Sequence, residues 1–420
     1  MTVLEHELRT SLAEIAEDCT GRLTDQARLD AGMKATAKQT RFPEVHHWNP
    51  LSLSFGDAGL ALMCLTMDES RGLERPTAVT HRFIARAAQG LGAGVPSLNL
   101  FGGVPGFAGV MALAGTHGDY QDALSRLDTM LGERLTAGLR ADGLSYDLIS
   151  GLAGWGAWLR LRPGARDLRD AVVDAVVDRL DALAGYRGLI RFPSAAPGAL
   201  PAPFGYLDCG MAHGVAGMLA LLALYALDGH PLDARGRRAM SEAAHWLAAR
   251  AVIDSSGVYW PRVARLDAYG SFIPGPVGPP GWCYGSAGTA RAMWLAGRAL
   301  DDGDHQLIAI RALQTSLNPA QLARLTTPTL CHGLAGLLLI TMICAGETGD
   351  ELLLASADTV ARALLRQYDG TSLFGYRDVE IGGGPVDSPG FLSGAAGIVS
   401  VLAAASAQQI PGFARLLLLS

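Results

Sequence analysis

The sequence predicts an all-α fold in which seven inner and seven outer helices close into a double ring. The first observation behind this prediction is an internal repeat: the tetrapeptide Gly-x-Ala-Gly occurs seven times among the 420 residues, at intervals of 45 to 71 residues. A repeat of this period means that one supersecondary unit, here two helices with their connections, recurs along the chain. The tetrapeptides begin at Gly56, Gly106, Gly151, Gly214, Gly285, Gly333 and Gly394.

The second observation is the hydrophobic pattern around each tetrapeptide. Each one opens an apolar stretch such as GMLALLALYAL or GLLLITMICAG, and a helix that is hydrophobic all round is a buried one. Between these stretches lie amphipathic segments such as ELLLASADTVARALLRQ. Their apolar residues recur at i, i+3, i+4 and i+7, the pattern of an outer helix with one solvated face. Glycines at the start of each inner helix let neighbouring backbones approach closely.

Two segments, 187–208 and 257–281, depart from the helical pattern because they are rich in proline, glycine and aromatic residues. We expect them to form long ordered loops over one mouth of the ring, with room for short strands. Loops of this length inside a compact domain are usually functional. The whole chain, 1–420, is predicted to form one domain.

The composition argues against several classes of function. The net charge of -6 and the lack of a basic stripe give no reason to expect nucleic acid or an anionic membrane as partner. The N-terminus lacks the apolar region of a secretory signal, and the longest apolar runs, 11 to 14 residues, fall short of the about 20 that cross a bilayer. Six cysteines are too few for a disulfide scaffold. A cytoplasmic protein with free thiols is therefore expected.

Three consecutive repeats carry chemically active side chains directly before their tetrapeptide, within AHGVAG, WCYGSAG and LCHGLAG. The corresponding positions in the other repeats hold mostly apolar or small residues. Because the offset from the glycine is shared, we expect these groups to lie at one end of the ring, at the starts of neighbouring inner helices.

Cys283, Cys331 and His332 are the predicted metal ligands. Two thiolates and one imidazole form a ligand set that is found where zinc keeps a fourth position open for water or substrate. A helix N-terminus also favours the thiolate form of cysteine. The alternative is that the cysteines are buried small hydrophobes and His332 is a core histidine, but an adjacent Cys-His pair with a second Cys at the same repeat position favours metal.

His213 and Asp147 are the candidate proton-carrying residues. His213 occupies the equivalent position one repeat before Cys283, and Asp147 lies four residues before Gly151. Both also have an ordinary interpretation as polar residues at helix N-termini. Cys209 lies off the metal register and is predicted to be structural. The other histidines have no partner at metal-ligand spacing in the sequence and are interpreted as surface or core residues; they include His46, His47, His81, His117, His230, His245 and His305.

These motifs, GMAHGVAG, GWCYGSAG and LCHGLAG with the seven Gly-x-Ala-Gly units, resemble those of the lanthionine synthetase C-like (LanC) family over roughly residues 45–410. Within it the chain is most similar to the stand-alone lanthipeptide cyclases. The resemblance implies an α/α toroid with zinc at one mouth, held by Cys283, Cys331 and His332. It also implies that His213, Asp147 and Tyr284 occupy active-site positions.

The resemblance further implies a reaction. Family members take a precursor peptide, leader plus core, whose serines and threonines have been dehydrated. They add its cysteine thiols to dehydroalanine or dehydrobutyrine and so close lanthionine and methyllanthionine rings. Only about 45 residues precede the first repeat, so a separate dehydratase is the expected partner.

The implied chemistry agrees with the residues present. A free thiol of pKa about 8.5 is mostly protonated at neutral pH, and coordination to zinc deprotonates it. Attack on the double bond generates an enolate that an acid must protonate. His213 is the candidate acid, with Asp147 holding its ring or assisting the proton transfer.

One position departs from the family pattern. Family members often carry an arginine three residues before the WCYG tryptophan, where it can stabilise the enolate oxygen, and this chain has Pro279 there. Either Arg262 or Arg265, in the same loop, takes over that role, or the oxyanion is stabilised in another way.

Two alternative functions remain open at this point. A thiol-alkylating zinc prenyltransferase would need an aromatic funnel and a basic diphosphate pocket, but aromatic residues make up only 7% of the chain and no basic cluster lies near the motifs. A zinc protein that binds a peptide or glutathione thiol, or transfers it, without closing rings would need the same ligands as a cyclase.

Overall fold

The computed structural model describes residues 4–43, 46–92, 97–185, 189–192, 202–275, 277–380 and 382–420. Helices dominate these ranges, as predicted, and the strands are short. The helices are α1 (His6–Thr24), α2 (Gln26–Gln39), α3 (Asp57–Ser70), α4 (Ala78–Gln89), α5 (Val104–Ala114), α6 (Gln121–Arg140), α7 (Leu152–Leu159), α8 (Arg166–Asp181), α9 (Val215–Leu227), α10 (Ala234–Ala248), α11 (Ser286–Leu300), α12 (Gly303–Ser316), α13 (Pro319–Leu322), α14 (Leu334–Thr348), α15 (Glu351–Leu365) and α16 (Ala395–Ala407).

Seven strands lie between these helices in the described residues: β1 (Tyr206–Asp208), β2 (Val252–Asp254), β3 (Gly257–Tyr259), β4 (Val263–Leu266), β5 (Phe272–Pro274), β6 (Asp378–Val379) and β7 (Pro385–Val386). They form an antiparallel sheet in the order β1-β4-β5 and two antiparallel pairs, β2-β3 and β6-β7. The two segments predicted as irregular thus hold β1 and β3 to β5. Residues 193–201 of the first segment lie outside the described part of the chain.

Each apolar stretch of the sequence forms a buried helix, namely α3, α5, α7, α9, α11, α14 and α16. In α9 every residue from Val215 to Tyr225 is buried, and in α14 every residue from Leu334 to Ala345. In six of the seven helices the first glycine of the tetrapeptide is the N-cap residue, as the repeat predicted.

The second repeat differs from the prediction by three residues. Its helix α5 begins at Val104 with Gly103 as N-cap, so the tetrapeptide that starts at Gly106 lies inside the helix. A Cβ on Gly106 would lie 2.0 Å from the Leu100 carbonyl oxygen, and a Cβ on Gly59 in α3 would lie 2.2 Å from the Leu53 oxygen. Gly103 and Gly106 therefore occupy the positions that the first and last glycines of the tetrapeptide hold in the other repeats. The sequence GFAG matches the motif by composition alone.

The amphipathic stretches form the helices with one wet face. In α15 the buried residues are Leu353, Ala357, Val360, Ala361 and Leu364, spaced as the helical period requires. The N-terminal helix α1 has the same character and packs against the buried α16. None of the described helices is long and apolar enough to cross a membrane.

The chain divides into two compact units. The first consists of Met1–Ala137 and Leu325–Leu418, in which α3 packs against α5 and α16, and α14 packs against α16. The second is Gly138–Arg324, in which α9 packs against α7 and α11. In both units the core consists of apolar helices packed side by side, covered by amphipathic helices.

Gly288→Ala should destabilise the protein. A Cβ on this buried α11 residue would lie 2.0 Å from the Trp282 carbonyl oxygen. Backbone rather than a flexible side chain would have to move, so we expect the free energy of unfolding to fall by about 1–3 kcal/mol. Thermal or denaturant unfolding measures the change.

Gly346→Ala is the matched control because a Cβ there, on an exposed turn of α14, meets nothing within 4 Å. It should raise stability by up to about 1 kcal/mol, since alanine favours helix over glycine. Equal effects of the two substitutions would contradict the close-approach explanation.

Candidate metal centre and active site

Backbone hydrogen bonds hold the predicted site residues of the second unit in register. The amide of Leu148 donates to the Ala212 carbonyl at 3.1 Å, and the amide of Ala212 donates to the Cys283 carbonyl, also at 3.1 Å. These three residues lie two or three positions before the N-caps of α7, α9 and α11. The bonds place Asp147, His213 and the Cys283–Tyr284 pair beside one another; His213 and Tyr284 share an offset from the repeat glycine, whereas Asp147 lies four residues before its glycine.

Asp147 is the polar centre of this arrangement. Its carboxylate is buried, with the side chain only 2% exposed. The Oδ2 atom lies 3.1 Å from Nδ1 of His213 and accepts a 2.7 Å hydrogen bond from the guanidinium of Arg191. The Oδ1 atom accepts from the amide and hydroxyl of Ser150 at 2.7 and 3.1 Å. Asp147 thus caps the turn before α7 with one oxygen and orients His213 with the other.

The environment keeps Asp147 ionised. Burial alone would raise the pKa of its carboxyl, but the hydrogen bonds from His213 and Arg191 outweigh this and lower the pKa well below the ordinary value. Arg191 is itself fixed, since its Nε donates to the Tyr146 hydroxyl at 2.8 Å and its backbone bridges to Tyr206 of β1. A charged Asp147 favours the tautomer of His213 with the proton on Nδ1, which leaves Nε2 to exchange a proton with a substrate.

Tyr284 and Arg262 extend this group of side chains. The Tyr284 ring stacks on the His213 ring, with centroids 5.5 Å apart and planes 23° apart. The Cζ atom of the Arg262 guanidinium lies 4.0 Å from the centroid of the Tyr284 ring. This is a cation–π contact. Of the two arginines considered from the sequence, Arg262 therefore contacts a predicted active-site residue, whereas Arg265 lies within β4.

In the first unit, Cys331 and His332 directly precede Gly333, the N-cap of α14. A hydrogen bond of 2.9 Å from the Cys331 amide to the Leu392 carbonyl holds this turn in place. Nε2 of His332 faces Oδ1 of the buried Asp378 at 3.8 Å, and the same oxygen accepts a 2.7 Å hydrogen bond from Thr327. This separation is longer than a hydrogen bond, so the carboxylate lies beside the imidazole without a hydrogen bond to it.

Two groups of metal-ligating side chains occur among the described residues. One consists of Cys283, Cys331 and His332, the set predicted from the sequence, and the other of His245, Asp302 and His305. The donor types of the first group suit zinc, because thiolate sulfur and imidazole nitrogen are its common protein ligands. By contrast, burial raises the pKa of the Cys64 thiol to about 12, which keeps that thiol protonated at neutral pH.

Comparison with known proteins decides the family. The sequence model of the lanthionine synthetase C-like protein family matches residues 47–418. This chain belongs to that family. Comparison with the curated proteins found no match. Among solved structures, the chain is similar to nisin cyclase with a TM-score of 0.74 at 18% sequence identity, over 99% of this chain and 98% of the other. The likeness shows the fold, and the prediction of an α/α toroid is confirmed.

Three polar residues of this LanC-like chain were not predicted from the sequence. Arg191 donates to Asp147, the partner of His213, and Asp378 lies 3.8 Å from Nε2 of His332. The third, Asp208, lies buried at the end of β1, where its Oδ1 accepts a 2.8 Å hydrogen bond from the Gly210 amide. None of the three belongs to the residues just before a repeat glycine. The only sequence signal is that each is a charged residue in a segment that is otherwise largely apolar or glycine-rich.

One apolar cavity of the described chain is lined by none of these residues. It has a volume of about 680 Å³ and lies among α4, α5 and α6 of the first unit, with a largely apolar lining that includes Ile84, Phe107, Met111 and Leu127. None of the predicted ligands or proton carriers lines it. The candidate chemistry is therefore carried by the turns before the buried helices.

Asp208 should make stability depend on pH between about 4 and 6. Burial raises the pKa of its carboxyl to about 6, against the hydrogen bond from Gly210 and the attraction of His213. The folded state therefore holds the proton more tightly than the unfolded state, so this group's contribution weakens as pH rises from 4 to 6. Asp208→Asn, which retains an oxygen for Gly210, should gain up to about 3 kcal/mol relative to wild type above pH 6.

Denaturant unfolding of both proteins at pH 4, 5, 6 and 7 gives the comparison. The difference in unfolding free energy should grow across this range and become constant above it. A difference that does not vary with pH would show that Asp208 has an ordinary pKa.

Proposed function

We propose that this protein is a zinc-dependent lanthipeptide cyclase. It adds cysteine thiols of a precursor peptide to dehydroalanine and dehydrobutyrine, which forms lanthionine and methyllanthionine rings. The observation that carries the proposal is that a chain matched to the family over residues 47–418 also holds a two-cysteine, one-histidine group able to bind a metal ion. The solved structure to which the chain is similar bears the name nisin cyclase.

The metal ligands in this proposal are Cys283, Cys331 and His332. Zinc held by three protein ligands leaves one coordination position for a substrate thiol and favours its thiolate form at neutral pH. Cys331 and His332 precede the N-terminus of α14, and Cys283 precedes that of α11. The positive end of each helix dipole there stabilises a cysteine thiolate. Asp378, which lies 3.8 Å from Nε2 of His332, is the proposed positioning carboxylate for that ring.

His213 is the proposed proton carrier. Addition of a thiolate to the double bond moves an electron pair onto the neighbouring carbonyl, and the resulting enolate takes up a proton at its α-carbon. His213 can take up on Nε2 the proton that the substrate thiol releases and deliver it to this carbon, while Nδ1 remains bound to the charged Asp147. Arg191 keeps Asp147 ionised and in place, so it acts as a positioning residue. Tyr284, stacked on His213, shields one face of the imidazole.

Arg262 is the proposed stabiliser of the enolate oxygen. The family arginine is replaced by Pro279, and Arg262 brings a guanidinium to the Tyr284 ring from a different position of the same loop. A preorganised positive charge at the developing oxyanion is among the strongest catalytic contributions available to a protein. The peptide would reach this protein already dehydrated, through a separate dehydratase.

Removal of Cys331 should abolish the thiolate-bound metal. Cobalt substituted for zinc gives an intense sulfur-to-metal charge-transfer absorption when thiolates are ligands, and Cys331→Ala should weaken this absorption strongly. Cyclisation should fall by about 100-fold or more, because the remaining ligands neither hold the ion firmly nor activate the thiol.

Cys64→Ala is the matched control, since Cys64 is buried and its thiol stays protonated. It should retain both the absorption and the activity. A wild-type protein that binds cobalt without any charge-transfer band would contradict the ligand assignment.

His213→Asn should slow ring closure by about 10²- to 10⁴-fold without loss of metal, the range expected for a general acid. The assay incubates the protein with a dehydrated Ser/Thr/Cys peptide. Ring closure makes thiols resistant to alkylation at unchanged mass.

His230→Asn serves as control because His230 packs against Tyr225 in the same unit and makes no described contact with His213. Wild-type ring closure by His213→Asn would overturn the acid assignment. Thiol binding by the wild type without any ring closure would instead identify a non-cyclising zinc and thiol binder.

A further inference from the structure

A second group of metal-ligating side chains lies on two amphipathic helices of the second unit. His245 is in the last turn of α10, Asp302 is the N-cap of α12, and His305 is in the first turn of α12. These two helices pack against each other. One ligand atom from each of the three residues lies within 4.8 Å of the other two. His245 and Asp302 are 57 residues apart in the sequence, and this spacing gave no indication of the arrangement.

His305 is buried, with 4% of its surface exposed, and its Nδ1 atom has no hydrogen-bond partner among the described residues. Oδ2 of Asp302 lies 2.8 Å from this nitrogen, within reach of an ion pair. A buried imidazole nitrogen and a carboxylate oxygen this close share a proton in the absence of metal, and an ion that displaces the proton would bind both atoms.

Asp302 is held firmly in this position. Its other oxygen, Oδ1, accepts a 2.9 Å hydrogen bond from the His305 amide and so caps α12. Because this bond to the backbone fixes the carboxylate, Oδ2 stays directed at the His305 ring. Binding an ion would therefore cost little side-chain entropy. The side chain remains 31% exposed, which leaves a path from solvent.

His245 supplies the third donor from α10. Its Nδ1 lies 2.7 Å from the Ser241 carbonyl oxygen, so this nitrogen carries the proton and Nε2 keeps its lone pair. A metal-ligating histidine usually donates the hydrogen of its non-ligating ring nitrogen to a carbonyl or carboxylate oxygen. Nδ1 of His245 does so here. The rings of His245 and His305 meet edge to face, with centroids 4.8 Å apart.

We propose that His245, Asp302 and His305 bind a divalent transition-metal ion of the zinc type. Two imidazoles and one carboxylate are a recurrent ligand set for such ions, whereas calcium and magnesium prefer oxygen donors alone. Ligand atoms at about 2.0–2.2 Å from one zinc are roughly 3.5 Å apart. Binding would therefore widen the 2.8 Å separation between Asp302 and His305 slightly and draw in the exposed His245 side chain, and water would complete the coordination.

The bound ion would join α10 to α12 and thereby stabilise the second unit. An ion that binds the folded state and not the unfolded state raises the unfolding temperature as its concentration rises. The donor atoms of this site differ from those of the proposed cyclase centre, because this site contains no sulfur ligand. Occupancy of the two sites can therefore be measured independently in one protein.

The test uses the full chain carrying Cys331→Ala, which removes the proposed thiolate site. Equilibrium dialysis against Zn²⁺, with metal measured by mass spectrometry, should give one bound equivalent. Adding His245→Ala should remove that equivalent, and adding Asp302→Asn, which keeps the helix cap, should weaken binding at least 10-fold. The unfolding temperature should rise with Zn²⁺ in the Cys331→Ala protein and not after His245→Ala is added.

His6→Ala, an exposed helical histidine elsewhere in the chain, is the control and should leave zinc binding unchanged. If the Cys331→Ala protein does not fold, cobalt titration of the otherwise wild-type chain replaces it. His245→Ala should then remove one cobalt equivalent and leave the thiolate absorption intact.

The outcomes separate this site from the proposed function. Zinc binding that is the same with and without His245 would overturn the second site, whatever the cyclase assay shows. Loss of the thiolate absorption with retention of the His245-dependent equivalent would overturn the first centre alone.

Discussion

The backbone hydrogen bonds between the turns that precede successive buried helices are the constraint on which the candidate site depends. In the second unit they run from Leu148 to Ala212 and from Ala212 to Cys283. In the first unit the amide of Cys331 bonds to Leu392, and that of Ser54 to Phe101, in the same manner. These bonds form only if each turn approaches its neighbour closely. The repeat glycines shape each turn itself, because a Cβ on them would overlap backbone atoms four to seven residues earlier in the same turn.

The electrostatics of the site follow from that backbone arrangement. Asp147 is buried, where an isolated charge would be strongly disfavoured, yet it receives hydrogen bonds from Arg191, Ser150 and His213. These partners come from three different segments that the turns bring together. The result is a fixed negative charge beside one ring nitrogen of His213, which directs the proton exchange to the other nitrogen. Asp208 shows the opposite case, since it has too few partners to offset burial and its pKa is raised.

The two groups of metal-ligating residues differ in whether the sequence reveals them. Cys283, Cys331 and His332 share an offset from a repeated glycine, so a comparison of repeats finds them. His245 and His305 share no such offset, because they belong to the amphipathic helices and face each other through helix packing. The same difference explains why Arg191 and Asp378 were missed: each reaches its partner from a loop or short strand whose path depends on the folded core.

The sequence alone determined the repeat, the alternation of buried and amphipathic helices, and the residues at each helix start. It did so because helical period and glycine spacing are local properties of the chain. It misplaced the second repeat by three residues, since the composition of GFAG imitates the motif while Gly103 makes the actual cap. Only the tertiary structure decided which charges meet: Arg191 with Asp147, Asp378 with His332, and His245 with Asp302 and His305. Those contacts join segments far apart in the chain, and packing rather than sequence spacing sets the distances between them.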